Sequence, residues 1–189
     1  MKFCSTCGSS ALAFRVPAGD TLPRHVCGSC GVVHYENPKI VVGCLPEWEG
    51  RVLLCRRAIE PRLGRWTLPA GFLENHESLG AGAMRETLEE ANARVALGAL
   101  YAVISLPQIS QVYVMFRAQL DDLGFGPGSE SLEVRLFDEA EVPWDELAFR
   151  TIARTLRRYF LDRRLGEFGL HVSVLERRPP LTPDLVAAG

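Results

Sequence analysis

Apolar residues fall in short, nearly unbroken runs through the middle of the chain. Lys39 to Leu45 (KIVVGCL) and Arg51 to Cys55 (RVLLC) are too short for helices and rich in valine and leucine. Such runs predict strands, joined by a turn around Glu47 to Gly50. Trp66 to Leu68 predicts a shorter strand. Arg94 to Ser105 and Gln111 to Leu120 predict longer ones connected through Leu106 to Ser110, and Val134 to Phe137 another short one. Between Glu77 and Ala91 the pattern changes: proline is absent and good helix formers dominate, which predicts a helix. At about 100° per residue, Gly80, Ala81, Met84, Leu88 and Ala91 share one apolar arc, with Glu86, Glu89 and Glu90 on the opposite one. Further helix is expected over Asp138 to Glu141 and from Trp144 or Asp145 to Arg164. Strands mixed around one helix, with another downstream, give an α+β fold whose topology the periodicity alone leaves open.

The start of the chain reads differently. Four of its six cysteines form two close pairs, Cys4/Cys7 and Cys27/Cys30, with nineteen residues between the pairs. A C-x2-C followed by glycine makes a knuckle whose thiolates point at one ion, and two knuckles complete a closed tetrahedral zinc site. Phe14 to Val16 and Arg24 to Val26 then pair as short strands of a zinc ribbon, with zinc supplying folding energy that so small a core lacks. No thioredoxin-like βαβ pattern surrounds the pairs, which argues against redox motifs. Cys44 and Cys55 lie in apolar stretches and are expected as buried free thiols. Tyr35 to Pro38 reads as a linker. The expected organisation is a ribbon over 1–36, a larger domain over 37–165, and a C-terminal extension and tail over 166–189, where Arg177 to Gly189 carries three prolines. A formal net charge of −2 gives no basic footprint for nucleic acid. The N-terminus has no apolar signal core, and the run from Val95 to Pro107 is too short to span a bilayer. The expectation is a soluble, cytoplasmic protein with no membrane partner.

Candidate chemistry concentrates in Gly71 to Ala93, GFLENHESLGAGAMRETLEEANA. Glu86 and Glu90 stand one turn apart, where like charges destabilise an isolated helix by a few tenths of a kcal/mol. A divalent cation would neutralise such a cluster, and all-oxygen ligands suit magnesium or manganese. Six positions fit G-x5-E-x7-R-E-x2-E-E. This pattern resembles the signature of the Nudix hydrolases, which cleave nucleoside diphosphates linked to another moiety. Thr87 takes a slot that is usually aliphatic. Asn92 stands where the pattern has glycine; asparagine is the next-best residue for a left-handed helix end.

The resemblance covers about Lys39 to Phe160 and implies an α/β/α sandwich, preceded here by the ribbon. It implies Glu86 and Glu90 as leading ligands of magnesium or manganese, with Glu89 assisting. The Ala70 backbone carbonyl is expected to face the metal where Gly71 lets the chain turn, and Arg85 to orient carboxylates such as Glu77 and Glu89. Relatives supply one further acid from well after the helix. Glu133 is the candidate for that ligand or general base, with Glu130 as the alternative. His76 is read as a loop histidine. Arg56, Arg57, Arg62 and Arg65 form a possible basic rim for substrate phosphates, with Arg65 singled out. Phe72 and Tyr113 are candidates to stack on a substrate ring, and Trp66 is a third.

A ribbon before such a domain resembles the NADH pyrophosphatases, whose SQPWPFP-like array has only a partial counterpart at Ser105 to Tyr113. NPKIVVGC, RVLLCRR, WTLPAGFLE, FGPGSESLEVRLF and PWDELAF look more like the ADP-ribose/FAD diphosphatase group. That implies FAD split to FMN and AMP, or ADP-ribose split to AMP and ribose 5-phosphate, by a homodimer. The rival readings are an NADH pyrophosphatase, a non-catalytic nucleotide sensor, and an RNA-processing relative. The intact box glutamates argue against the sensor, and the sparse basic residues of the ribbon against RNA.

Overall fold

The computed structural model describes residues 1–176; the tail expected over Arg177 to Gly189 lies outside the described residues. Two compact units divide at Pro38 and Lys39. In the first, strands β1 (Leu12–Arg15), β2 (Arg24–Cys27) and β3 (Val33–His34) form an antiparallel sheet. Gly8 and Gly31 adopt φ of +73° and +75°, and their N–H groups donate back to the carbonyls of Cys4 and Cys27 at 2.9 and 3.0 Å. These turns aim four thiols at one point. All four ligand atoms lie within 4.8 Å of one another, with Cys4–Cys30 at 3.7 Å and Cys7–Cys27 at 3.6 Å between sulfurs. A zinc–sulfur bond of about 2.3 Å gives a tetrahedral edge of about 3.8 Å, so this donor set fits zinc. Apolar burial in this unit is confined to Cys4, Pro17, Val26 and Cys27, while Phe3, Phe14 and Leu22 stay exposed.

The second unit is built around β4 (Lys39–Trp48). This strand runs parallel to β9 (Gln111–Leu120) and antiparallel to β5 (Arg51–Arg57) and β7 (Ala70–Phe72). With β8 (Val95–Leu106), β10 (Ser131–Phe137) and β11 (His171–Val174), the sheet order is β10-β5-β4-β9-β8-β11, and β6 (Trp66–Thr67) joins β5. Helices α1 (Leu79–Ala91) and α2 (Arg150–Leu165) cover opposite faces. Side-chain alternation divides the core. Leu45, Val52 and Leu54 pack with Ile152, Leu156, Tyr159 and Phe160 of α2. Val42 and Cys44 pack with Ala83, and Leu53 and Cys55 with Ala91, both on α1. Double coverage is why these strands read as unbroken apolar runs. Among the described residues no helix is long and apolar enough to cross a membrane.

Several elements differ from expectation. Ala70 to Phe72, read as a turn, is strand β7 and pairs in register with Gly43 to Val41. A Cβ at Gly43 would collide with Ala70 and the Pro69 carbonyl, so the close crossing requires glycine there. The long helix starts at Arg150 rather than at Trp144 or Asp145. Leu147 bridges to Trp66, and the Ala148 N–H donates to the Trp66 carbonyl at 2.8 Å, which holds the chain extended until Phe149. Trp144–Glu146 and Glu139–Glu141 are single 3₁₀ turns. The extension expected from 166 onward supplies β11, which pairs parallel with β8 at the sheet edge.

The buried face of α1 also differs from the expected apolar arc and shares only Ala91 with it. Met84 and Leu88 are 39% and 50% exposed, and the face against the sheet is Gly82, Ala83, Thr87, Glu90 and Ala91. A Cβ at Gly82 would meet Val42 at 2.9 Å and Leu73 at 3.0 Å. The helix lies too close to β4 for large side chains, so bulk is turned outward. The ribbon yields a prediction of its own. Purified protein should carry one zinc per chain that survives mild chelation, and Cys27→Ser should lose it and unfold residues 1–38 while the second unit keeps its cooperative melt. Metal analysis that finds no zinc refutes the assignment.

Candidate active site

Ser78 caps α1, its hydroxyl accepting the Ala81 N–H at 3.2 Å. Glu77 therefore stays in the preceding loop with its carboxylate free. It accepts the Glu74 N–H at 2.7 Å and two bonds from Arg85, from Nε at 3.1 Å and Nη2 at 2.8 Å. Arg85 Nη1 also donates to Glu86 at 2.8 Å and Glu89 at 2.9 Å, and Nη2 to the Phe72 carbonyl at 3.2 Å. One guanidinium thus ties loop, helix and β7 together. These Arg85 bonds, followed by the Glu74 N–H, hold the Glu77 carboxyl below its ordinary range.

A Cβ at Gly71 would overlap the Glu86 carboxylate, so backbone and acid touch there. Glu90 is only 6% exposed, and its Oε2 accepts the Ala70 N–H at 3.1 Å. Burial pushes its pKa up to about 8; Ala70 and Arg57 oppose the shift, while Glu86 and Glu130 add to it. Burial likewise raises Glu86, against the pull of Arg85. Thr87 is buried without penalty because its hydroxyl donates to the Ala83 carbonyl at 2.8 Å. Two desolvated carboxylates one turn apart, with Arg85 already committed to Glu77, Glu86, Glu89 and Phe72, leave an excess of hard oxygen donors. That donor chemistry fits a divalent cation.

These groups open on a cavity of about 1160 Å³. Arg85, Glu86, Glu89, Glu90, Ala70, Phe72 and Tyr113 all line it. Of the Ala70 peptide group, it is the N–H that meets Glu90. Arg65 does not reach the cavity: it is exposed, and its Nη1 donates to the Asp145 carbonyl at 2.9 Å. Glu133 is also outside, 3.8 Å from Arg56 on the neighbouring strand. Alternation along β10 explains this. Val134 and Leu136 pack on the α1 side, so Glu133 shares the opposite side with Phe137. Glu130, ahead of the register shift at Ser131/Glu133, lines the cavity instead.

Arg57, noted in the sequence only as one of a group, is the buried cation of this site. It is 9% exposed, its Nε donates to the Pro61 carbonyl at 2.9 Å, and its guanidinium lies 5.3 Å over the Phe149 ring. It has no carboxylate partner among the described residues. The available signal was its parity: Leu53, Cys55 and Arg57 point to the same side of β5, toward α1.

Residues 2–36 match the Nudix N-terminal zinc ribbon, and residues 37–160 match the NUDIX domain. The chain belongs to the Nudix family and is a Nudix hydrolase. The crystal structure of a NUDIX hydrolase from Nitrosomonas europaea is similar, with 59% identity, a TM-score of 0.91, and coverage of 94% of this chain and all of that one. An ADP-ribose pyrophosphatase of Methanocaldococcus jannaschii is 30% identical over 124 residues, 61% of this chain and 69% of that protein. The NAD-capped RNA hydrolase NudC of Chromobacterium violaceum is 32% identical over 158 residues, 83% of this chain but only 58% of the relative's length.

The buried acid gives a pH prediction. In metal-free protein, ionisation of Glu90 is favoured in the unfolded chain from about pH 4.5 but in the folded chain only above about 8. Stability should therefore fall as pH rises through that window. Glu90→Gln should melt several degrees above wild type at pH 8 without metal, with the gap closing toward pH 4.5. Wild-type affinity for magnesium should drop up to tenfold per pH unit below 8, because binding displaces the proton. Identical melting curves for both proteins at pH 8 would contradict this account.

Proposed function

We propose that this chain hydrolyses the pyrophosphate bond of an ADP-linked compound, FAD or ADP-ribose, and releases AMP. The observation that carries the reading is the division of one cavity into an acidic wall, a buried arginine and an aromatic wall. Glu86, Glu89, Glu90 and Glu130 form the first, Arg57 the second, and Tyr113 and Phe149 the third. A volume near 1160 Å³ accommodates a dinucleotide. The ADP-ribose pyrophosphatase relative supports the substrate class.

Magnesium or manganese held by Glu86 and Glu90, with Glu89 beside them, would lower the pKa of water and screen charge on the two phosphates. The protein's own residues do the rest. Arg85 fixes the rotamers of Glu86 and Glu89, so the carboxylates are set before substrate arrives. Arg57, held by Pro61 and Phe149, offers its remaining N–H groups to phosphate oxygens. Glu130 accepts a proton as a water oxygen bonds to one phosphorus. The bond from that phosphorus to the bridging oxygen breaks, and the oxygen leaves on the other phosphate. Tyr113 and Phe149 present ring faces to adenine or flavin. Phe72, half exposed beneath Lys39, is a further ring contact. The homodimer belongs to this proposal as well, and light scattering reads it directly.

The decisive assay offers FAD, ADP-ribose, NADH, NAD and diadenosine compounds with magnesium or manganese and resolves products by chromatography. AMP should appear from FAD or ADP-ribose at least as efficiently as from NADH; a strong NADH preference overturns the substrate assignment. Tight binding without AMP release under either metal favours a sensor. Glu130→Gln should lower kcat by about 10²–10⁴ with little change in KM, and Glu133→Gln should stay close to wild type. The reverse pattern would return the role to Glu133.

A further inference from the structure

The loop from Phe125 to Glu130 is glycine-rich yet has no strand–loop–helix setting for binding phosphate. It docks on the C-terminal end of α1. The Gly126 N–H donates to the Ala91 carbonyl at 2.8 Å, and the Gly128 N–H to the Glu90 carbonyl at 3.0 Å. Both are carbonyls that the last turn of a helix leaves without partners. A Cβ at Gly128 would run into the Glu89 carbonyl, so the loop lies on the helix backbone itself. Phe125 packs beside Ala91 and Ala93. At the far end, the Ala58 N–H donates to the Glu130 carbonyl at 2.8 Å. Glu130 is thus suspended between the end of β5 and the end of the helix that carries Glu86 and Glu90.

One side chain closes this arrangement. Asn92 is left-handed, with φ of +46° and ψ of +25°, and its N–H caps the Leu88 carbonyl. Glycine suits that backbone best, so conformation alone does not call for asparagine. Its amide nitrogen lies 2.9 Å from the Pro127 carbonyl and 3.4 Å from that of Gly126. Both facing atoms are acceptors, which fixes the amide with its NH₂ toward the loop. We propose that Asn92 is a positioning residue: its side-chain amide clamps the 126–128 loop to the end of α1 and so sets Glu130 over the metal-binding carboxylates. The inference rests on Glu130 being the proton-accepting acid of the proposed reaction. It concerns the one position where this chain departs from glycine at the end of its signature helix.

The test uses full-length Asn92→Gly, Glu130→Gln and the double variant, assayed for ADP-ribose hydrolysis with magnesium. Hydrogen exchange is followed at the Gly126 and Gly128 amides. Glycine keeps the left-handed turn, so Asn92→Gly should fold. It should exchange both amides faster than wild type and lose about tenfold to a hundredfold in kcat with KM nearly unchanged. The double variant should be no slower than Glu130→Gln alone, because both changes remove the same function. Normal kcat in Asn92→Gly, unaltered amide exchange, or losses that multiply in the double variant each overturn the clamp. Normal kcat in Glu130→Gln overturns the reading of Glu130 and the inference together. That outcome is distinct from failure of the clamp alone, in which Glu130→Gln is impaired and Asn92→Gly is not.

Discussion

A carboxylate buried to 6% exposure beside a second acid is the constraint around which the second unit is arranged. Left alone, Glu90 would stay protonated at neutral pH, since burying charge without a partner is far costlier than giving up the proton. The chain stops short of neutralising it. Ala70 supplies one N–H, Arg57 a favourable field, and Arg85 is committed to the other three glutamates. The site is under-compensated, and a divalent cation is what its oxygen donors can still accept. The metal-free protein keeps the proton instead, and a divalent cation bound there would displace it, so that cation binding and proton release would be linked.

Holding that acid near β7 requires the helix to lie almost on the sheet, and this explains where the sequence pattern misleads. Hydrophobicity along Glu77 to Ala91 points to Met84 and Leu88 as the inward face. The available space admits only Gly82, Ala83, Thr87 and Ala91. When two backbones approach closely, steric fit outranks apolar area, and the larger side chains turn to solvent. Glycines at 43, 71, 82 and 128 mark the same constraint at four crossings, each with no room for a Cβ.

Much of the fold was legible because the sheet is covered on both faces. Its long strands appear as valine and leucine runs, and the cysteine spacing announces the ribbon. Elements set by non-local pairing were not legible. Strand β7 depends on β4, β11 depends on β8, and the late start of α2 depends on Trp66 holding Leu147 and Ala148. No local propensity records those partners. The site follows the same division. The box carboxylates and Arg85 share one helix and its adjoining loop, so spacing finds them. Which later acid reaches the cavity depends on strand parity and a register shift: Glu130 lines it, and Glu133 lies on the face of β10 turned away from α1.

The cavity carries the same distinction in its two walls. Its acidic wall comes from α1 and the loop before β10, whereas Tyr113 comes from β9 and Phe149 from the segment preceding α2. Apart from Glu130, the acidic wall is written in one contiguous stretch of α1 and can be read directly. The aromatic wall is assembled from residues distant in sequence, each of which would pass for ordinary core. Arg57 bridges the two: its strand parity aims it at Glu90, and its guanidinium rests on Phe149. A change at Phe149 would therefore be felt at the acidic wall as well as at the aromatic one. The aromatic wall and the charge balance of the acidic wall are physically coupled through a single buried side chain.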